Sequence, residues 1–422
     1  MTNFEFSGRQ RTLLFSGIAL GVICMAYTWF VADDALHSRF WSNFLHNSVF
    51  FTGIALMAGF FLSASITAWA GWYVVFKRVW EAFGLFLIIG LILMVIIAIG
   101  NYGHFHHLYH WTDESILVPG VEGYDKILAG KKGFLNKNWY LGGTVVFVGL
   151  WWFIMSRLRA LSIKEDQGND DNFSSHRKMR IWAAAYLPIA GFTSAAMVWL
   201  WIMSVDSHWY STLFAWYTGA SWFVSMLALT ILTIMYLKMR GYFASVSTEH
   251  IHDLGKLLFA FSIFWTYLWF SQYMLIWYAN VGEETIYFRE RLDNYKFLFY
   301  ANLVINFALP FLVLMRNDTK RKWGSLSFVA IMVFFGHWLD FFLMLKPGIL
   351  HTAHEAMAHG GGDHDHGAAH AVGGFAGPGF LEIGTMIGFL CMFLFFAYSA
   401  MSRTRLEPLH DPYLEESLHH HV

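Results

Sequence analysis

The chain has 422 residues, of which 57% are hydrophobic, 19% aromatic and only 14% charged. Soluble domains run near a quarter charged, and no single soluble core could bury this much apolar surface. A formal net charge of -1 leaves no basic stripe for nucleic acid, and two cysteines exclude a disulfide-stapled secreted protein.

Ten stretches are apolar enough to cross a hydrocarbon core, which takes about 20 helical residues. They lie near 12–32, 46–72, 82–101, 139–157, 181–203, 211–237, 254–278, 295–315, 324–345 and 380–401. The polar start, Met1 to Arg11, leads into the first stretch without a small-residue cleavage site, so span one is read as retained. Trp139-Tyr140, Trp209-Tyr210 and Trp277-Tyr278 collect at span ends, as interfacial aromatics do. Pro188 and Pro310 predict kinks in spans five and eight. Most of the 28 lysines and arginines fall with the N-terminus, the even-numbered loops and the C-terminus, above all in 157–180 and 316–323. Positive-inside then predicts both termini in the cytoplasm. The expected fold is an all-α integral membrane domain over 1–422. It has a four-helix set in 46–203, another in 204–345, and peripheral spans one and ten. An outer loop at 346–379 and a cytoplasmic tail at 402–422 complete it.

Histidine shows the reverse bias. His37, His46, His104, His106, His107, His110, His208, His337 and His351 all fall outside or in the outer half. The 346–379 loop includes Gly360-Gly-Gly-Asp-His-Asp-His-Gly367, which reads as a linker or a metal-binding tract, although its spacing matches no fixed zinc motif. No metal site is expected. Leu418-His-His-His-Val422 reads as an exposed end. Cys24 and Cys391 belong to no C-x-x-C pattern, and no paired histidines at matching depth are evident, since His337 alone lies well inside a span. The chain is therefore expected to carry no haem or iron–sulfur cluster of its own.

Ionisable groups at membrane depth are costly and mark functional sites by default. His337 and Asp340 are three apart on span nine and share a face, roughly 20 and 25 Å from Trp323 at about 1.5 Å per residue. Carboxylate and imidazole can exchange a proton; the alternative is a hydrogen-bonded pair locking helices. Span seven carries Ser262, Thr266, Trp269 and Tyr273 at helical spacing, continuing from His252, Asp253 and Lys256. This stripe reads either as a proton half-channel or as back-bonded helix glue. Glu81 and Asp253 open the second helix of each four-helix set, and His208 sits with Asp206 in the outer turn after span five.

Ser204-Val-Asp-Ser-His-Trp-Tyr-Ser-Thr-Leu-Phe214, His250-Ile-His-Asp-Leu-Gly-Lys256, Trp269 to Asn280, Gly336-His-Trp-Leu-Asp340 and Leu381-Glu-Ile-Gly384 carry a family resemblance. The chain resembles the NrfD/PsrC-like membrane subunits and, more narrowly, the F subunits of bacterial alternative complex III, a quinol:cytochrome c oxidoreductase. The resemblance implies a bacterial inner-membrane subunit of a menaquinol-oxidising complex, with c-type haems and iron–sulfur clusters on other subunits. Implied partners are the homologous C subunit, an iron–sulfur B subunit, multihaem and monohaem c subunits, a small membrane subunit, lipids and a haem–copper oxidase. It also implies proton half-channels that map onto Glu81, His252, Asp253, Thr266 and Tyr273, and the reading of the residues themselves would extend that path to His337 and Asp340. Where the sister C subunit has a glutamate, this chain has Gln272, and Trp338-Leu-Asp340-Phe341 replaces its Trp-x-Glu-Arg pattern. Direct quinol binding at His208, Gln272, His337 or Asp340 is the alternative, and a secondary transporter is a second.

Overall fold

The computed structural model describes residues 4–33, 36–113, 115–120, 124–168, 173–360 and 377–421. All regular structure among them is helical. Ten helices are long and apolar enough to cross a membrane: Gly8–Val31, Ser38–Thr67, Val74–Gly103, Lys137–Asp166, Ser174–Val205, Leu213–Met239, Thr248–Ala279, Lys296–Leu314, Trp323–Ala353 and Phe380–Met401. They are called spans one to ten. With this composition they read as a multi-pass membrane protein.

Spans two, three, four and five pack in succession, and five returns to two; six to nine do the same, and nine returns to six. The two sets touch where span two meets six and nine and where five meets six. Spans two, six and nine are the most buried. Span six is 89% buried over its most apolar window, against 22% for span one. Span two can approach span six because Gly53 faces the Trp222 ring, which would overlap any Cβ there. Trp222 in turn stacks on Phe341 of span nine, with ring centroids 5.7 Å apart.

Spans one and ten pair through small residues. Gly17 faces Cys391, Gly21 faces Gly388 and Cys24 faces Gly384, an antiparallel register in which the two backbones touch. Within lipid, helices associate by such close packing rather than by hydrophobic exclusion. Ser7 and Gln10 form a capping box at the start of span one, satisfying the first N–H groups. Its other face, with Leu13, Ile23, Phe30 and Val31, is exposed.

Three sequence expectations change. Span two begins at Ser38, so His46 sits two turns inside the helix rather than at its end; the polar 38–45 stretch is helical because Ser42 and Asn43 accept from Lys346. Pro310 follows a π-turn at Val304–Ala308 that absorbs the lost hydrogen bond, and Pro188 lies inside an unbroken helix. Span nine does not end at 345: the helix runs from Trp323 to Gly360 through Pro347. Pro347 cannot bond the Leu343 carbonyl, but Arg291 Nε donates to that oxygen at 2.8 Å and Arg291 Nη2 donates to Met344 O at 3.2 Å. The Gly/His cluster of 361–367 lies outside the described residues.

Gly21→Leu and Gly388→Leu should each force spans one and ten apart. Overpacking of this kind costs about 1–3 kcal/mol, so each variant should unfold at lower temperature in detergent, whereas Gly8→Ala, which meets open space, should not.

Candidate functional site

Asp340 is fully buried where spans six, seven, eight and nine meet. Four neutral donors converge on its carboxylate. Ser221 Oγ and Trp265 Nε1 donate to Oδ2 at 3.0 Å each, Asn302 Nδ2 donates to Oδ1 at 2.8 Å, and the Tyr217 hydroxyl donates to Oδ1. Each donor comes from a neighbouring helix: Tyr217 and Ser221 are one turn apart on span six, Trp265 is on span seven, and Asn302 lies just before the π-turn of span eight. That turn also directs Asn306, whose Nδ2 donates to Asn302 Oδ1 at 2.6 Å. Asn306 fits only because residue 336 is glycine.

His337 is equally buried, and its Nδ1 lies 2.9 Å from Ser221 Oγ and 3.9 Å from Asp340 Oδ2. Because Ser221 gives its hydroxyl proton to Asp340, it accepts from His337 Nδ1–H. His337, Ser221 and Asp340 thus form a directed chain of hydrogen bonds. The His337 Nε2 atom is buried without a partner.

Beyond Asp340, toward the segment 204–210, is a cavity of ≈ 20 Å³ lined by Tyr217, Trp269, Gln272, Arg291, Asn302 and Asp340. That is room for about one water. Gln272 is buried with its Oε1 unpartnered. Arg291, on the helix Gly282–Asn294, bonds Asp206 at 3.0 Å and lies 3.4 Å over the Tyr287 ring. Burial would lower the Arg291 pKa, but Tyr287, Asp206 and Glu290 outweigh it and hold the guanidinium above its ordinary value.

The other side of span nine faces span two. His46 Nε2 donates to the Trp338 carbonyl at 2.9 Å and the two rings stack 4.8 Å apart, so His337 is not the only histidine well inside a span. Trp338 Nε1 donates to Asn47 Oδ1 at 3.0 Å. One turn earlier on span two, Ser42 and Asn43 accept from Lys346, and Asn43 Nδ2 reaches Glu382 of span ten at 3.2 Å. Arg39 holds both Glu382 oxygens, at 2.7 and 3.0 Å.

The remaining sequence candidates separate into three groups. Glu81 pairs with Arg78 at 2.6 Å and accepts from Ser162 Oγ at 2.7 Å, while Arg78 also holds Asp166. Beside them Glu165, His176 and Asp411 converge closely enough for a metal ion. The Lys77 ammonium already contacts both carboxylates, at 3.4 Å from Glu165 and closer to Asp411. At the foot of span seven, Asp253 meets Lys256 and lies 2.6 Å from His420 Nε2. His252 is buried there with neither ring nitrogen hydrogen-bonded. Thr266 Oγ1 donates back to the Ser262 carbonyl at 2.8 Å, and Tyr273 packs on Trp269, Phe288 and Phe299. His208 is half-exposed and contacts Asp125, away from Asp340. Burial pushes the Asp125 carboxyl up, but the Leu128 N–H and His208 outweigh it and leave its pKa below the ordinary value.

The segment 402–421, of which the sequence reads only the end from Leu418 as exposed, ties these ends together. Glu407 accepts from Ser245, the Leu409 N–H donates to Asp166, Asp411 holds Lys77, and Ser417 Oγ donates to the Trp72 carbonyl. Burial would raise the Asp411 pKa; the Lys77 ammonium and the Tyr413 N–H outweigh it and bring it below the ordinary carboxylate value. A carboxyl lowered by folding stabilises above its unfolded pKa, about 3.9, and that stabilisation is lost as pH falls through the folded value. Docking of this segment should therefore persist at neutral pH and release below about pH 4. Asp411→Asn should loosen it at pH 7, read as faster amide exchange over 405–420, because it removes the carboxylate that holds this segment to the buried Lys77.

Neither family models nor curated proteins match this chain.

Proposed function

We propose that the chain is a proton-conducting integral subunit of a respiratory quinol-oxidising complex of the alternative complex III type, and that it carries no redox group itself. The observation that carries the reading is Asp340, wholly buried at membrane depth and linked through Ser221 to His337. A purely structural role would be served at lower desolvation cost by neutral groups, because a buried ion is held against a penalty of several kcal/mol. Starting from imidazolium and carboxylate, His337 Nδ1 gives its proton to Ser221 Oγ as Ser221 gives its own to Asp340 Oδ2. Both ends become neutral, and no other group changes charge.

Buried polar atoms without partners mark further points on the route: both ring nitrogens of His252, Ser262 Oγ, Gln272 Oε1 and His337 Nε2. In folded proteins such groups are paired by ordered water or engaged in function. The reading places spans two to five and six to nine as two four-helix bundles, both termini in the cytoplasm of a bacterial inner membrane, and spans one and ten at the periphery. Iron–sulfur and c-type haem subunits, the homologous C subunit and lipids would surround it. Quinol binding at Asp340 is the second reading. It would need the ≈ 20 Å³ cavity beside Gln272 to open toward the about 300–1,000 Å³ of ordinary ligand pockets.

Two measurements test this. Mild-detergent purification of the tagged chain should bring down c-type haem, visible in a reduced-minus-oxidised spectrum, with a large iron–sulfur chain; a colourless, solitary protein would overturn the assignment. In the purified complex, Asp340→Asn should lower protons moved per electron at least twofold while quinol oxidation in uncoupled vesicles keeps most of its rate. Unchanged proton stoichiometry would remove Asp340 from the route.

A further inference from the structure

The segment 402–421 does more than cover the helix ends, because it contributes a side chain to the foot of span seven. His420 Nε2 is 2.6 Å from Asp253 Oδ2, and the His420 side chain is 19% exposed. It is therefore in contact at once with a path candidate and with the surrounding solution. Its ring lies 5.3 Å from that of His250, whose Nδ1 accepts the Ser247 N–H at 3.0 Å. His250 Nδ1 thus holds no proton in this arrangement, and its Nε2 faces Ser417 Oγ at 3.4 Å. His250 is fixed by these bonds, whereas the His420 side chain, among the described residues, hydrogen-bonds to the carboxylate alone. The other charged groups at this point are Lys256, in contact with Asp253, Glu249, which lies 3.8 Å from His252, and Arg321, which pairs with Glu249 at 2.8 Å.

We propose that His420 is the proton-collecting residue of this chain, passing protons from solution to Asp253. Imidazole is suited to this because it gains and loses a proton near neutral pH, where an aspartate alone is almost always ionised. In the step, His420 as imidazolium breaks its Nε2–H bond while an O–H bond forms on Asp253 Oδ2, leaving a neutral imidazole and a neutral carboxyl. A proton from the bulk solution then restores the imidazolium. Asp253 also borders an open groove of ≈ 490 Å³ between spans two and seven, lined by Ala64, Ala68, Trp72, Lys256 and Ala260. The groove adjoins the residue that His420 contacts, which makes the proposal testable by chemical rescue.

The inference rests on the proton-conducting reading above, and the experiment separates the two. The complex containing the full chain is reconstituted in vesicles, and proton uptake during quinol oxidation is followed with a pH dye. His420→Gln keeps an N–H donor for Asp253 but cannot carry a proton at neutral pH. It should reduce proton uptake about tenfold at pH 8, and millimolar imidazole should restore it. His419→Ala should behave as the native chain, since His419 is exposed and bonds only the Glu415 carbonyl. Amide exchange over 405–420 checks that the segment stays docked in His420→Gln. Native uptake with an unaffected His420→Gln, or a loss that imidazole does not restore while the segment is docked, overturns the role of His420 alone. Native complex that moves no protons overturns the conducting reading and this inference together.

Discussion

A carboxylate enclosed by protein at membrane depth must be satisfied on every side, and Asp340 is satisfied by four donors from three other helices at once. Two turns of span six, a tryptophan of span seven and an asparagine of span eight all point at it. This requirement accounts for features that otherwise look unrelated. The π-turn in span eight directs Asn302 and Asn306 inward, and Gly336 leaves the space Asn306 occupies. Moving any one of these helices would leave a donor or the carboxylate unpaired, so the site and the packing of the second helix set are one constraint.

Span nine meets a different demand on its opposite face. Trp338, Phe342 and Lys346 recur at four-residue spacing and meet Asn43, His46 and Asn47 of span two. One helix therefore fastens the two helix sets and carries the buried acid. The turn beyond depends on Arg291, which supplies the hydrogen bonds that Pro347 withholds and is itself held by Asp206. The cation that repairs the helix also borders the cavity next to Asp340, so helix integrity and the charge environment of the acid are linked through a single guanidinium.

Hydropathy made the ten spans legible, because about 20 apolar residues in a row leave little alternative to a membrane-length helix. The His337–Asp340 pair was legible for a similarly local reason, three residues on one helix. Ser221, Tyr217, Trp265 and Asn302 were not, since they lie on three stretches of chain other than span nine and are conspicuous only once the helices meet. Asn302 and Asn306, four apart in an apolar run before a proline, were the one available signal. The depth of His46 was misjudged because Ser42 and Asn43 look like a helix boundary until Lys346, about 300 residues away, is seen to bond them. The segment 402–421 reads as a polar tail, and only its contacts with Lys77, Asp166 and Asp253 distinguish it from a free one.

The pairing of spans one and ten has a consequence for how the molecule is made. Chains emerge at about 5–20 residues per second, so the first helix enters the bilayer well before its antiparallel partner exists. Throughout that interval the face bearing Gly17, Gly21 and Cys24 lacks its span-ten partner. Small residues suit such a wait, since they present neither a charge to be shielded nor bulk to be accommodated, and they adhere only to a backbone that can come equally close. The pairing of spans one and ten thus closes late, after the eight helices between them have been made and before the segment 402–421 can dock.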